Sequence, residues 1–412
     1  MNKLFKCLTA VLLTLVLSFS QIGVAALADN ETTTSTTTTS TTTTSSIKTT
    51  SAALPYFYYQ LSDIEKSAYK KLYTAIRDHK KEVKLGVQLN DDQLNNIAWI
   101  AFIYDANIFD LDDLSSKTTK SETIIRIKYE YSTDTYTKMK AKLEKRADQI
   151  IAKLTDKMST YQKVKIIHDE IINNCEYVLQ GQEFDSAYGA LVNKKAKCTG
   201  YAHAFAYVCN RAGIKTAFVI GDDGTHIWNM VYINKKWYHI DLTWDDPVSN
   251  FTQNTTYNYF LLSDKQITET QKIDDNDFEI PTAADDSLSY YVKNKLVADD
   301  AGSASEILTN EIAKAIKSQK SLVSIKCSSK EAYQEINDYL INQEELFNIY
   351  KNAGKQSGKS FCDELIYYSF NENTYIMTFA LFYPNTKISY YFTDTSGLDS
   401  ATLNELKHYG IK

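Results

Sequence analysis

The chain has 412 residues, 43% hydrophobic and 23% charged, a balance that suits a globular body rather than a disordered chain. At roughly 150 residues per domain, two or three domains are expected. A net charge of −6 with no basic block argues against nucleic acid or an anionic membrane surface as partner.

Residues 1–28 read as an export signal, with Lys3 and Lys6 before the apolar run Leu8 to Phe19 and a small-residue cleavage site at Ala26-Leu27-Ala28. The run falls short of the about 20 residues that span a bilayer, so cleavage is expected and no membrane span remains. The product is predicted to be secreted or held at the cell surface. Residues 29–53 are almost entirely Thr and Ser, too poor in apolar surface to order, and are expected to form a disordered tether.

A mixed helical and strand domain is predicted over 54–157. Leu61 to Val83 and Asp91 to Tyr104 have helical spacing, Thr123 to Tyr131 alternates as a strand, and Tyr136 to Leu154 is an amphipathic helix. No chemistry is evident there.

The segment 158–290 is richer. Ser159-Thr160 caps a helix, a second follows Cys198 with Ala202, Phe205, Ala206 and Cys209 on one stripe, and three strands follow: Thr216 to Gly221, Thr225 to Ile233 and Trp237 to Leu242. Helices followed by antiparallel strands predict an α+β fold. A further α+β unit is expected over 300–412, with helices around Ile307 to Ile316 and Glu331 to Tyr350. Its strands are expected at Leu322 to Cys327, Thr374 to Phe382 and Lys387 to Phe392.

Five cysteines remain after export: Cys175, Cys198, Cys209, Cys327 and Cys362. An odd count leaves at least one free thiol, and no Cys-x-x-Cys pair suggests zinc or redox chemistry. No disulfide, metal or other cofactor is predicted; Asp222-Asp223 and Asp274-Asp275-Asn276-Asp277 lack the ligand spacing of a calcium loop and read as solvated turns.

Cys198 precedes the second helix, where the dipole and unpaired backbone donors favour a thiolate, the form that attacks carbonyl carbon. Alone it reads as a small buried hydrophobe, and only the histidine and aspartate motifs below favour the nucleophile. A two-residue turn at Asn234-Lys235 would pair Tyr232 with Trp237 and set Asp241 diagonal to His226 on one sheet face, within side-chain reach. A three-residue loop would break this geometry by moving Asp241 to the other face. The carboxylate is what a catalytic imidazole needs to fix its tautomer and stabilise its charged form. His239 shares the Asp241 face and is the rival base, whereas His203 has no evident role.

The run Ser186 to Pro247 resembles the bacterial transglutaminase-like superfamily. It carries Cys198-Thr199-Gly200-Tyr201-Ala202, His226-Ile227-Trp228-Asn229, and the long motif Trp237-Tyr238-His239-Ile240-Asp241-Leu242-Thr243-Trp244-Asp245-Asp246-Pro247 in the family's order. Lys235 departs from it, standing where the family often has Gly. The resemblance implies a papain-like core in which Cys198 attacks an amide carbonyl, His226 shuttles the proton and Asp241 orients His226. It implies an oxyanion hole that includes the Cys198 N–H. Tyr188 either completes that hole or is a core tyrosine, and Trp228 and Trp244 are read as cleft walls. Asn229 and Asp245-Asp246 are read as structural.

A thioester formed on Cys198 could pass to water or to an amine, so a protease or amidase and a cross-linking transglutaminase both remain open, with proteins, peptides or cell-wall peptides as substrates. The alternative is a cell-surface binding protein that uses the same domain as an inactive scaffold.

Overall fold

Helix α1 (Asp63–Arg77) begins where Ser62 and Glu65 satisfy each other: the serine hydroxyl accepts the Glu65 N–H and the glutamate accepts the Ser62 N–H. The computed structural model describes residues 54–181, 184–246, 256–275, 278–391, 398 and 400–411. The export signal at 1–28, the tether at 29–53, and Pro247, Asn276 and Asp277 lie outside the described residues.

After α1 come β1 (Glu82–Lys84) and α2 (Asp91–Trp99), which runs on into a π-helical turn at Ile100–Tyr104. Strands β2 (Leu111–Thr118) and β3 (Thr123–Tyr129) form with β1 an antiparallel sheet in the order β1-β3-β2, and α3 (Thr133–Ile151) follows. β3 is legible from its alternation. β2 is not, because Leu114 is the one residue of Leu-Asp-Asp-Leu-Ser-Ser-Lys-Thr that this edge strand fully buries.

The central part contains α4 (Thr160–Ile172), the short parallel pair β4 (Glu176–Tyr177) and β5 (Lys195–Ala196), and α5 (Cys198–Arg211). An antiparallel meander follows: β6 (Thr216–Gly221), β7 (His226–Ile233), β8 (Lys236–Ile240) and β9 (Phe260–Leu262), then the short α6 (Asp264–Ile267). Asn234 and Lys235, at φ 52° and 67°, make the two-residue turn between β7 and β8, and Tyr232 pairs with Trp237 as the alternation requires. Lys235 adopts the left-handed region at a cost of roughly 1–2 kcal/mol.

Each sheet face has its own cover. Ile227, Val231 and Ile233 pack with α5, whereas Trp228 and Met230 pack on the opposite face with Tyr259, Leu262 and Ile267. Helix α5 buries 11 of its 14 residues, Cys198 and Tyr201 among them, where the sequence suggested a single stripe. The reason is that the N-terminal part wraps its other side, with His203 Nε2 bonded to the Ile103 carbonyl at 2.8 Å. Buried residues on both sides of residue 157 form one continuous core, linked through Phe57, Tyr104 and Phe218 with ring centroids 4.3 and 6.1 Å apart.

Beyond α7 (Tyr290–Lys293), a second core gathers β10 (Val297–Ala298), α8 (Ala301–Ser318), β11 (Leu322–Cys327), α9 (Lys330–Asn337), α10 (Glu345–Ser357), β12 (Tyr367–Asn371), β13 (Ile376–Ala380) and α11 (Ser400–His408). Its sheet order is β10-β11-β13-β12. The strand expected at Lys387 to Phe392 is absent among the described residues; Ile388–Tyr390 is a 3-10 turn. Tyr391 buries its ring, and its hydroxyl accepts the Tyr383 N–H at 2.7 Å, closing a loop instead of extending the sheet. The whole is α+β, as the element order predicted.

Candidate active site

Cys198 is the first residue of α5, buried to 6% exposure. Its position depends on the preceding segment. The Lys197 N–H donates to the Phe184 carbonyl at 3.0 Å, and its ammonium pairs with Asp185 at 2.8 Å. Gly200 is needed one turn in, because a Cβ there would lie 2.4 Å from the Phe184 carbonyl oxygen and 2.8 Å from the Ala196 methyl.

His226 opens β7 opposite Gly221, at the end of the sheet that meets the head of α5. Its Nε2 and the Asp241 Oδ2 are 2.6 Å apart, both groups buried. The Cys198 thiol contacts the imidazole as well, and with Nε2 engaged, Nδ1 is the nitrogen left to the sulfur. Burial pulls the His226 pKa down, but the Asp241 charge and hydrogen bond, with the Cys198 contact, outweigh it and hold the ring at about 10. The three groups expected to meet therefore do meet.

Asp241 lies just past β8, its N–H bonded to the Tyr259 carbonyl at 3.1 Å. Oδ1 accepts the N–H groups of Thr243 and Trp244 at 3.0 and 3.2 Å. Oδ2 accepts from His226 and also from the Gln271 amide at 2.8 Å. Gln271 is buried, and nothing in the local sequence marks it, since the contact is made across 30 residues of chain.

The aromatic residues divide differently from expectation. Trp228 is 1% exposed and forms a floor behind His226, with ring centroids 5.6 Å apart at 23°; it shares the His226 face of the sheet, but Tyr259 and Leu262 cover it there, so it does not line a cleft. Trp244 is 52% exposed and stands edge-on to His226 at 6.3 Å, the position of a wall. Tyr188 is packed in the core, stacked on Phe109 at 6.0 Å. Tyr177, passed over by sequence reasoning, lies beside the thiol: burial first, then the nearby Cys198, Asp241 and Asp185 charges, push its hydroxyl to about 12.

His239 is fully buried with both ring nitrogens engaged, Nδ1 accepting the Trp228 indole N–H at 3.0 Å and Nε2 set 2.9 Å from Asp264. It has no lone pair to offer Cys198, which removes it as a rival base. Asp245 bonds His168 of α4 at 3.1 Å and accepts the Tyr259 N–H at 2.8 Å, and Asp246 accepts the Tyr201 hydroxyl. Asn229 is buried in β7. The acidic turn is used internally, with Asp222 accepting the Lys272 N–H and Asp223 paired with the Lys272 ammonium. Among the described residues no group of three or more His, Cys, Asp or Glu could hold a metal, and no helix is long and apolar enough to cross a membrane. All five described cysteines are unpaired, and burial pushes the Cys209 thiol well up.

A helix-borne thiol, a strand-borne imidazole and a carboxylate just past the end of the next strand make up this site, and residues 144–242 match the transglutaminase-like superfamily. The chain carries a transglutaminase-like domain. It is 28% identical over 139 residues to the kyphoscoliosis peptidase of Homo sapiens, covering 28% of this chain and 21% of that protein. The Mus musculus protein of that name is 29% identical over 132 residues, covering 26% and 20%. The chain thus spans about a fifth of the length of these curated relatives. A solved transglutaminase structure shares 18% identity over 42% of this chain and 52% of its own, with a TM-score of 0.25. Over residues 144–242 the chain is thus similar to a family that includes cysteine-dependent enzymes.

Proposed function

We propose that the chain is a cysteine hydrolase or acyltransferase acting on amide bonds of proteins or peptides. The observation that carries this reading is the relay in which Cys198 contacts His226 and His226 bonds Asp241 at 2.6 Å in a buried setting. His226 already holds the proton taken from the thiol when the sulfur attacks the amide carbonyl carbon. Asp241 keeps the ring oriented and stabilises its charge. The oxyanion receives the Cys198 N–H. When the C–N bond breaks, His226 returns the proton to the departing amine and a thioester remains on Cys198. Water or a primary amine then attacks the thioester carbon and gives its proton to His226. The thiolate leaves beside the protonated ring, which restores the starting pair. Water yields a carboxylate; an amine yields a new amide.

The export reading of residues 1–28 supports action outside the cytoplasm, on proteins or cell-wall peptides. The test is incubation of the protein and its Cys198→Ala variant with a peptide library and a labelled primary amine, read by mass spectrometry. Cleavage or label incorporation lost in the variant is expected. Silence from the intact protein would favour an inactive scaffold.

A further inference from the structure

The catalytic reading above gives no task to the buried side chain of Gln271. We infer that Gln271 is a positioning residue that acts through Asp241, an inference that rests on that reading.

The segment bearing Gln271 is held down on both sides. The Gln271 N–H donates to the Ile267 carbonyl at 3.0 Å, at the end of α6. Past it, the Lys272 carbonyl accepts the Asp222 N–H at 3.0 Å and the Lys272 N–H donates to Asp222 Oδ1 at 2.9 Å. The Asp274 N–H reaches the Ile220 carbonyl at 3.2 Å, and the Asp274 carboxylate accepts the N–H groups of Asp223 and Gly224 at 3.1 and 2.6 Å. These bonds strap residues 271–274 onto the turn between β6 and β7, next to His226. The approach is close enough that a Cβ on Gly221 would lie 2.0 Å from the Lys272 carbonyl oxygen.

The strap delivers one amide group to one oxygen. Main-chain donors from Thr243 and Trp244 serve Oδ1 of Asp241, while Oδ2 is shared by His226 and Gln271. Gln271 therefore restrains the oxygen that orients the imidazole, and sets the carboxylate plane. Its own Oε1 has no partner among the described residues although it is buried. A buried carbonyl left unpaired is unfavourable, and leucine would fill the same space without that penalty. The amide is thus retained for its N–H. Gln271 also lies beyond residue 242, where the match to the family ends.

Alkylation of Cys198 by iodoacetamide tests this without any need for a substrate. The intact protein, Gln271→Leu and Gln271→Glu are compared across pH, with urea unfolding as a check on folding. Gln271→Leu is expected to slow alkylation on the order of tenfold, as loss of orientation does. Gln271→Glu gives the distinguishing signature. Its introduced carboxyl donates a hydrogen bond to Asp241 while protonated and repels it once ionised. The ratio of its rate to that of the intact protein should be near one at acid pH and fall as pH rises. Unchanged rates in both variants, or an equal loss at every pH in Gln271→Glu, would overturn the inference in favour of passive packing. If Gln271→Leu fails to fold, the pH dependence of Gln271→Glu decides alone. Ordinary thiol reactivity of Cys198 in the intact protein is a separate outcome: it removes the catalytic reading, and the inference with it.

Discussion

The indole N–H of Trp228 donates to Nδ1 of His239 at 3.0 Å, in a bond buried behind the His226 imidazole. His239 must then carry its own proton on Nε2, facing Asp264. Replacing Trp228 by Phe keeps an aromatic floor but strands that acceptor. The expected loss is about 1–3 kcal/mol of stability, with slower alkylation of Cys198 as the floor loosens. Urea unfolding checks it; an unchanged midpoint would mean that the bond is dispensable.

The His226–Asp241 pair predicts a pH window. The folded-state pKa of His226, about 10, lies above its ordinary 6.5, so the protonated ring stabilises the fold. That contribution is complete below pH 6.5 and is lost as pH rises through about 10. Asp241→Asn removes the charge that raises the pKa. The stability gap between the two proteins should narrow over that window, and a gap constant with pH would contradict the assignment.

Tyr201 is fully buried on α5 and donates its hydroxyl to Asp246. Burial raises the Asp246 pKa to about 6, with the Tyr201 hydrogen bond opposing it. Tyr201→Phe leaves the carboxylate short of a donor, at a cost of roughly 1–3 kcal/mol near neutral pH. The raised pKa means that Asp246 is increasingly protonated below pH 6, so the same substitution should be milder in acid. Denaturation curves on either side of that value separate the two cases.

Gly200→Ala would push a methyl group into the Phe184 carbonyl and the Ala196 side chain. Backbone must move to relieve it, and that backbone carries Lys197 and Cys198. A destabilisation of about 1–3 kcal/mol is expected, together with a fall in Cys198 alkylation. Thermal unfolding and labelling report the two effects separately, and a variant normal in both would show that the segment 184–197 yields freely.

The meander was legible because its residues alternate with the two-residue period of a strand and its turn is short. Once Asn234-Lys235 forms the turn, pairing of Tyr232 with Trp237 follows, and His226 and Asp241 fall on one face. The meeting of the triad could be read for that reason. β2 and β12 were missed because they bury little or stand at sheet edges, so apolar periodicity does not mark them. The burial of α5 beyond one stripe was missed because it depends on a wrapping partner from the N-terminal part of the chain.

What the sequence determined by itself is local: helix starts from Ser62 and Ser159, strand alternation, and the spacing that lets Cys198, His226 and Asp241 converge. What only the tertiary structure decided is which remote groups complete that convergence. Gln271 reaches Asp241 across 30 residues, Tyr177 comes to the thiol through the pairing of β4 with β5, and His239 is taken out of contention by Trp228 and Asp264. Side-chain periodicity encodes which face a residue takes, because backbone geometry repeats. It carries no record of which distant segment will be folded against that face.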